Sequence, residues 1–198
     1  TDVFNYTSHD SSYYNPSTSY GNEILTDLQN GILNLSTGTY AKYDCLKNSS
    51  NFSIKHIGGL NSLNLNNIHT LVLDGNSLTT ISASDLSSLV NLTNLSIKAN
   101  KLKTFTLSVD ITGLNELDLS NNQLKKINLA RLSETVSGVG PKVNLACNEF
   151  ESLENIIFSP IIKLSKLDIA FNKITDLTEE SIATLNSNLS GDSTANVL

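Results

Sequence analysis

Apolar and polar residues follow an eleven-residue pattern that recurs five times along this chain. Apolar residues stand at the first, fourth, sixth and eleventh places, and an asparagine stands at the ninth. The copies begin at residues 68, 92, 114, 140 and 164, and the copy that begins with Gly140 is the weakest. In the first copy, Leu71 and Leu73 alternate with Thr70, Val72 and Asp74, which predicts a short strand with one face inward. The pattern therefore predicts a strand-and-turn unit repeated along the chain.

Successive ninth-place asparagines lie 24, 22, 26 and 24 residues apart. A unit of this size buries only one side and must stack on its neighbours, which is typical of solenoids. The expected fold class is α/β: a right-handed solenoid with a curved parallel sheet on its concave side, short helices or 3₁₀ turns on its convex side and an N-terminal α/β cap. We expect the asparagine amides to bond backbone groups of their own and adjacent turns. This asparagine ladder comprises Asn76, Asn100, Asn122, Asn148 and Asn172.

The segments between the copies are expected on the convex side, mostly as short helical or 3₁₀ turns. They are residues 82–91, 106–113, 128–140, 151–163 and 178–186. The sequence from Thr178 to Ile182 has helical spacing, and its acidic residues favour a helix N-terminus. Apolar residues three places beyond each copy are expected to extend the core: Ile81, Phe105, Ile127, Leu153 and Leu177.

The chain divides into four segments. Residues 1–20 form a polar, Tyr-rich N-terminal segment, residues 21–66 the N-terminal cap and first turn, residues 67–186 the repeats and residues 187–198 a C-terminal tail. Within the cap, the pattern predicts a helix from Asn22 to a stop at Gly31, followed by a strand over Thr39–Cys45. The tail is polar and is expected to be frayed.

The eleven-residue pattern is that of the leucine-rich repeat, and one junction resembles a narrower family. Ser53–Leu63, followed by Leu73–Ile81, is similar to the junction between cap and first repeat in bacterial internalins. This resemblance implies a secreted or surface protein that binds a host or cell-surface protein through its concave face. The repeat lengths depart from the family, because internalin repeats are nearly uniform and these vary from 22 to 26 residues. The 24-residue copies also resemble extracellular receptor-type repeats.

The candidate protein-binding face consists of three rows of outward positions on the predicted sheet. The first row is Thr70, Asn94, Glu116, Lys142 and Lys166; the central row is Val72, Ser96, Asp118, Asn144 and Asp168; the third row is Asp74, Lys98, Ser120, Ala146 and Ala170. The mixed charges favour a polar surface that selects a protein partner; the alternative is that they only keep the protein soluble. Phe171, just past the last strand, is expected in the core, with an exposed anchor as the alternative.

Composition narrows the choice of partner. A net charge of −6 and a pI near 4.9, without a cluster of Lys or Arg, argue against nucleic acid or an anionic membrane. The chain has no run of 18 apolar residues, so no membrane insertion is expected. A surface rich in Asn, Ser and Thr is common in exported proteins. Because the chain begins at Thr1 without Met, we expect a processed or trimmed secreted protein.

The two cysteines are expected to remain unpaired. Cys45 and Cys147 lie four repeats apart, roughly 19 Å by strand spacing, whereas a disulfide needs Cα atoms within about 7 Å. Secretion without a disulfide favours a bacterial source.

No catalytic, cofactor or metal site is expected. His9, His56 and His69 are scattered and make no zinc set with two distant cysteines. Asp118 and Asp168 stand roughly 10 Å apart on an open sheet that has no pocket to desolvate either carboxylate. The sequence thus predicts a non-enzymatic, monomeric module that binds a protein ligand, as an exported bacterial adhesin or virulence-related protein. The alternatives are the targeting portion of an effector whose catalytic domain is absent from this chain, and a structural surface spacer.

Overall fold

A computed structural model describes residues 30–36, 53–57, 65–107, 111, 113–135 and 138–196, together with the backbone of residues 13–14. Within these residues the chain forms short strands with few helices, and each of the strand pairs is parallel. The five middle strands of the larger sheet come from the five consecutive copies of the sequence pattern. The arrangement fits an α/β fold like that of leucine-rich repeat proteins.

The larger sheet has seven strands that lie side by side in chain order. They are β2 (Ile32–Asn34), β4 (Thr70–Val72), β5 (Asn94–Ser96), β7 (Glu116–Asp118), β9 (Lys142–Asn144), β11 (Leu164–Asp168) and β12 (Leu189–Asn196). Leu71, Leu95, Leu117, Val143 and Leu167 are in register across the middle of the sheet, and all are buried. Each such side chain contributes about 1.5–3 kcal/mol when fully buried, so the alternation of the sequence selects this register. The predicted inward-facing strand positions are confirmed.

A second parallel sheet extends into segments 106–113, 128–140 and 151–163, which the sequence predicts to be mostly short helical or 3₁₀ turns. Its strands, in order, are β6 (Thr104–Thr106), β8 (Lys126–Leu129) and β10 (Ile156–Phe158). Phe105, Ile127 and Ile156 align across it and are buried. The helical expectation is wrong where these strands enter those segments. β6 and β8 alternate apolar with polar residues, and β10 consists of β-branched and aromatic residues, and both patterns suit a pleated surface with a buried face.

In the described part of the repeats, the helical elements are the 3₁₀ helices Ala83–Asp85 and Leu153–Asn155 and the α-helix α1 (Glu179–Ser187). The helix predicted to start near Thr178 is present: Thr178 is the N-cap of α1, and two acidic residues occupy its first turn. The Thr178 hydroxyl accepts the Ser181 N–H at 3.0 Å, and the Ser181 hydroxyl accepts the Thr178 N–H at 3.1 Å. This capping box satisfies two backbone donors at the start of the helix.

The C-terminal end of the larger sheet differs from the sequence interpretation. The sequence predicts a frayed tail after Ser187, whereas residues 189–196 form β12 beside β11. The Asn188 carbonyl accepts the Leu164 N–H at 2.6 Å at the start of this pairing, and the register shifts between Leu164 and Lys166. A terminal strand is held by its backbone bonds to one neighbour, so a polar sequence that lacks the apolar alternation still forms it.

At the N-terminal end, the sequence interpretation did not identify β2, which pairs with β4. Gly31 just before it has φ 75°, the left-handed conformation expected of a helix stop. The predicted helix up to residue 29 and the predicted strand Thr39–Cys45 lie outside the described residues, as does segment 1–20 apart from the backbone of β1 (Tyr13–Tyr14), which pairs with β3 (His56–Ile57).

The apolar places of the pattern belong to one buried core, together with apolar residues of the segments between the copies. Of the residues predicted to extend it, Ile81, Phe105, Ile127 and Leu153 are buried. Leu177 is 51% exposed, so that prediction is wrong. In this last copy the chain makes a single bridge from Asp176 to Ser152 and then enters α1, so the helix, through the buried Leu185, covers the core instead.

Gly140 explains why the fourth copy departs from the pattern. A Cβ built on this glycine would overlap the carbonyl oxygen of Lys163 and would lie 2.9 Å from the backbone nitrogen of Ser165. That nitrogen donates a hydrogen bond to the Pro141 carbonyl at 3.0 Å, which holds the two segments together. The first apolar residue of the pattern therefore gives way to glycine where neighbouring coils make backbone contact.

The residue before each ladder asparagine adopts a left-handed backbone conformation. Gly75, Ala99, Asn121, Cys147 and Phe171 occupy this position, with φ between 54° and 70°. Gly75, Ala99 and Asn121 are exposed, so the position belongs to the surface in the earlier coils. Phe171 is 78% exposed. Its predicted place in the core is wrong, and the alternative of an exposed aromatic side chain describes it.

Candidate functional site

The outward positions of the larger sheet come together as two unbroken rows. Thr70, Asn94, Glu116, Lys142 and Lys166 face one another in register across β4, β5, β7, β9 and β11, and Val72, Ser96, Asp118, Asn144 and Asp168 do the same one pleat further on. Two shallow depressions lie on this face. One of about 300 Å³ lies between β4 and β7, and one of about 190 Å³ lies between β7 and β11. We refer to this surface as the sheet face.

The first row carries the most exposed charges of the sheet face. Glu116, Lys142 and Lys166 are all exposed and lie on three adjacent strands. The Glu116 carboxylate accepts a hydrogen bond of 3.4 Å from Asn94. Among the described residues, the ammonium groups of Lys142 and Lys166 have neither a hydrogen bond nor an ion pair. The fold therefore holds these lysines in place by their backbone while their charges stay free for another molecule.

The central row has a structural task that the sequence interpretation missed. The side-chain oxygens of Asp118, Asn144 and Asp168 accept the backbone N–H two residues further on, at 3.0, 3.1 and 3.1 Å. The same bond joins Asn34 to Ser36 in β2 at 3.0 Å. These Asx turns end each strand and direct the chain into the next turn. An Asn or Asp in the last strand position was the available signal in the sequence.

Asp74 does similar work between two coils in the third row. Its carboxylate accepts the Ser96 hydroxyl at 2.6 Å and the Lys98 N–H at 3.0 Å, and it lies 3.7 Å from the Lys98 ammonium group. Further along, Ser120 and Ala170 are only 5% and 8% exposed. The third row therefore turns into the molecule at these coils, and its expected outward position there is wrong.

The asparagine ladder lies beside the sheet face and joins successive coils. Each of the five side-chain amides donates to carbonyls of its own coil and of the coil before it, and each amide oxygen accepts one backbone N–H. Asn122, for example, accepts the Leu102 N–H at 3.0 Å and donates to Ile97 at 3.0 Å and Leu119 at 3.1 Å. Four of the five asparagines are buried, and Asn172 at the end of the ladder is half-buried. Because buried polar groups need partners, this ladder fixes the register in which the coils meet.

The described residues offer little for metal chemistry. They contain no group of three or more His, Cys, Asp or Glu side chains that would hold a metal ion. His69 is exposed and bonds the neighbouring Thr70 hydroxyl at 2.9 Å, while His9 and the His56 side chain lie outside the description. Cys147 is unpaired, and Cys45 lies outside the described residues. Within the same part of the chain, no helix has the length and apolar character needed to cross a membrane.

Comparison with known proteins identifies one stretch of the chain. Residues 113–134 match the family model described as Leucine Rich Repeat. They include β7, Asn122 of the asparagine ladder and β8, so the match falls on one coil of the structure. A search of curated proteins finds no match to the chain. The match on one coil supports a leucine-rich repeat protein, in a family whose usual role is to bind other proteins.

Proposed function

We propose that this chain is a leucine-rich repeat solenoid that binds a protein partner through its concave side, which corresponds to the sheet face. The observation that carries the proposal is the row of Glu116, Lys142 and Lys166. These three charges are exposed on adjacent strands, and among the described residues the two lysines have no partner. The acidic residues of the central row, in contrast, are engaged in turns. The proposed recognition surface is therefore smaller than the fifteen positions of the three predicted rows.

Charge of both signs in one row favours selection of a partner over general adhesion. An acidic position followed by two basic ones matches a partner surface with the reverse order, and like charges placed opposite each other are strongly unfavourable. The shallow depressions accept protruding side chains, whereas neither encloses a small molecule. On this proposal the protein acts by binding and performs no chemistry.

A charge-reversal variant tests the proposal. The triple variant Glu116→Lys, Lys142→Glu and Lys166→Glu leaves the Asx turns and the asparagine ladder intact. The matched control is Glu134→Lys, Lys103→Glu and Lys126→Glu, three exposed residues that lie off the sheet face. Both variants change the net charge by the same amount, so non-specific electrostatics are equal in the two proteins.

Immobilised wild-type chain is used to capture partners, which are identified by mass spectrometry and then titrated as purified proteins. We expect the sheet-face variant to bind the purified partner at least about tenfold more weakly, because several charge contacts are reversed at once. The control variant should bind as the wild type does. If the sheet-face variant binds as tightly as the wild type, the partner does not bind at the sheet face and the proposal is refuted.

We further propose that the protein acts outside the cell that makes it, as an internalin-like bacterial adhesin or virulence-related protein, and that it works as a monomer. The support is the sequence resemblance and the Asn-, Ser- and Thr-rich composition. Fractionation of the producing cells tests the location, and recovery of the protein only from cytosol contradicts it. Light scattering on the purified chain tests the monomer, and a mass of twice 21.4 kDa contradicts that part.

A further inference from the structure

We propose a second interaction site, a cleft between β10 and α1 that takes an extended peptide segment of a partner, with a large apolar side chain flanked by Lys or Arg. The cleft has a volume of about 300 Å³. It shares no lining residue with the two depressions on the sheet face. The inference therefore stands apart from the proposed function and is tested separately.

The cleft exists because a helix follows a strand at this point of the stack. In the second sheet β8 has β6 on one side and β10 on the other, whereas the coil after β10 forms α1. Paired strands lie about 4.8 Å apart, but a helix has a diameter of about 10–12 Å with its side chains. The helix therefore packs beside β10 without closing against it. Among the described residues, β10 is an edge strand that pairs with β8 alone.

The lining of the cleft is apolar at its base and acidic at its rim. Ile156, Phe158 and Leu185 contribute the apolar surface. Glu154 and Glu180 stand at the rim, on the 3₁₀ helix and on α1, and both are exposed. No Lys, Arg or His lines the cleft. Its charge is therefore negative, and it is complementary to a cationic segment.

One kind of occupant satisfies each of these features. An extended peptide adds its backbone to the edge of β10, which is the usual way in which an exposed strand binds a segment of another chain. One of its apolar side chains fills the cleft. Basic residues two places before and after it, whose side chains lie on the same face of the extended segment, approach Glu154 and Glu180. A volume of about 300 Å³ admits one or two large side chains and not a folded surface.

The probe is a dye-labelled peptide, Lys-Val-Phe-Val-Lys, compared with Glu-Val-Phe-Val-Glu on the full 198-residue chain. In each peptide the two charged residues share the face of the phenylalanine. Binding is measured by fluorescence anisotropy at about 0.15 M salt, where distant charges are screened, and located by amide NMR shifts. We expect the basic peptide to shift the signals of β10 and α1 and to bind at least about tenfold more tightly than the acidic peptide. Weaker discrimination, or shifts centred on the sheet face, would overturn the site.

Two sets of variants make the test specific. Glu154→Lys with Glu180→Lys should weaken the basic peptide about fivefold or more, since two exposed charge contacts reverse sign. Glu151→Lys with Glu179→Lys is the matched control, because both residues are exposed, neither lines the cleft, and Glu179 shares the first turn of α1 with Glu180. Thr184→Phe, which places a ring in the cleft, should also block the peptide. Equal losses in the control, or unchanged binding to Thr184→Phe, would refute the assignment.

Methylation of the peptide backbone distinguishes strand addition from simple insertion of a side chain. Peptides N-methylated at odd or at even positions should behave differently, because only one set of N–H groups faces β10. Equal binding of the two would contradict the strand pairing. Chemical shifts of the cleft that depend on protein concentration without peptide would instead assign the cleft to a second copy of this chain, and would overturn the proposed occupant.

Discussion

Paired substitutions in the asparagine ladder test how the coils are joined. The Leu119 carbonyl accepts a hydrogen bond from Asn122 at 3.1 Å and another from Asn148 of the next coil at 3.0 Å. The Ile97 and Leu145 carbonyls are shared between two asparagines in the same manner. Because each carbonyl has two donors from different coils, removal of one asparagine leaves it with a partner. Removal of both asparagines that share a carbonyl leaves that carbonyl without a donor.

The free energies follow from counting the groups that lose their partner. Asn122→Ala leaves the Leu102 N–H without its acceptor, and Asn148→Ala does the same to the Leu124 N–H. A buried group without a partner costs about 1–3 kcal/mol, so each single variant should lose that amount together with a contribution from the small cavity. In the double variant the Leu119 carbonyl is also left without a donor. The double variant should therefore lose about 1–2 kcal/mol more than the sum of the two single variants.

The assay is urea unfolding of the wild type, the two single variants and the double variant, followed by circular dichroism. A second cycle combines Asn100→Ala with Asn148→Ala, two asparagines that share no carbonyl, and should be additive within about 0.5 kcal/mol. If the double variant is unfolded in water, all proteins are compared at one concentration of trimethylamine N-oxide, which favours compact states. Amide exchange at Leu102 gives a local reading. It should quicken more in Asn122→Ala, which removes the acceptor of this N–H, than in Asn148→Ala, which lowers only the overall stability.

If the losses in free energy of unfolding of Asn122→Ala and Asn148→Ala simply add in the double variant, the reasoning from the shared carbonyl is refuted. Additivity would mean that water or a backbone shift replaces the lost donors, and that the ladder bonds stabilise each coil separately. Equal coupling in the two cycles would point to a general loss of stacking and would contradict the reasoning as well.

Three further substitutions test local features of the fold, each by urea unfolding. Gly140→Ala should lower the free energy of unfolding by about 3 kcal/mol or more, since its Cβ overlaps backbone that cannot move aside. Gly113→Ala, with open space around its Cβ, should stay within about 1 kcal/mol of the wild type. Equal losses in the two variants would contradict the close approach at Gly140. Ala99→Gly should stabilise the protein by about 0.5–1 kcal/mol, because the backbone at Ala99 has a φ of 55° that strains an alanine. The same change at Ala130, whose φ is not positive, should destabilise the protein. An effect of the same sign at both sites would refute backbone strain at Ala99. Thr178→Ala should cost about 1 kcal/mol and Thr178→Ser much less; a similar loss in both variants would deny the hydroxyl its capping role.

The repeat pattern predicts most features of the larger sheet. The fourth and sixth places give the buried residues of each strand, and the ninth place gives the asparagine that joins the coils. Both follow from local periodicity, because every coil meets a neighbour of nearly the same sequence. The second sheet was harder to predict. Lys126–Leu129 alternates like a strand. Its pairing, however, requires β6, β8 and β10 to align although they lie in coils of 22, 26 and 24 residues.

Phe171 and Leu177 show where the periodicity misleads. Phe171 is apolar, yet it occupies the left-handed position that Gly75 and Ala99 occupy in earlier coils. Comparison of equivalent positions would have placed it on the surface. Leu177 continues the spacing of the core residues, but the chain has already turned toward the cap of α1. The sequence spacing alone does not report that change of backbone direction.

The sheet face shows why a row of side chains is not yet a site. Periodicity places Asp118, Asp168 and Glu116 on the same face and gives no reason to rank them. The structure separates them. Each of the two aspartates uses a side-chain oxygen to accept the backbone N–H that ends its strand, whereas the one partner of the Glu116 side chain among the described residues is Asn94, at 3.4 Å. Reversing a charge that already bonds the backbone destabilises the protein. A loss of binding in such a variant therefore reports folding and recognition together. The exposed first row avoids this ambiguity, because substitutions there leave the turns intact. A loss of binding in a first-row variant therefore reports recognition alone.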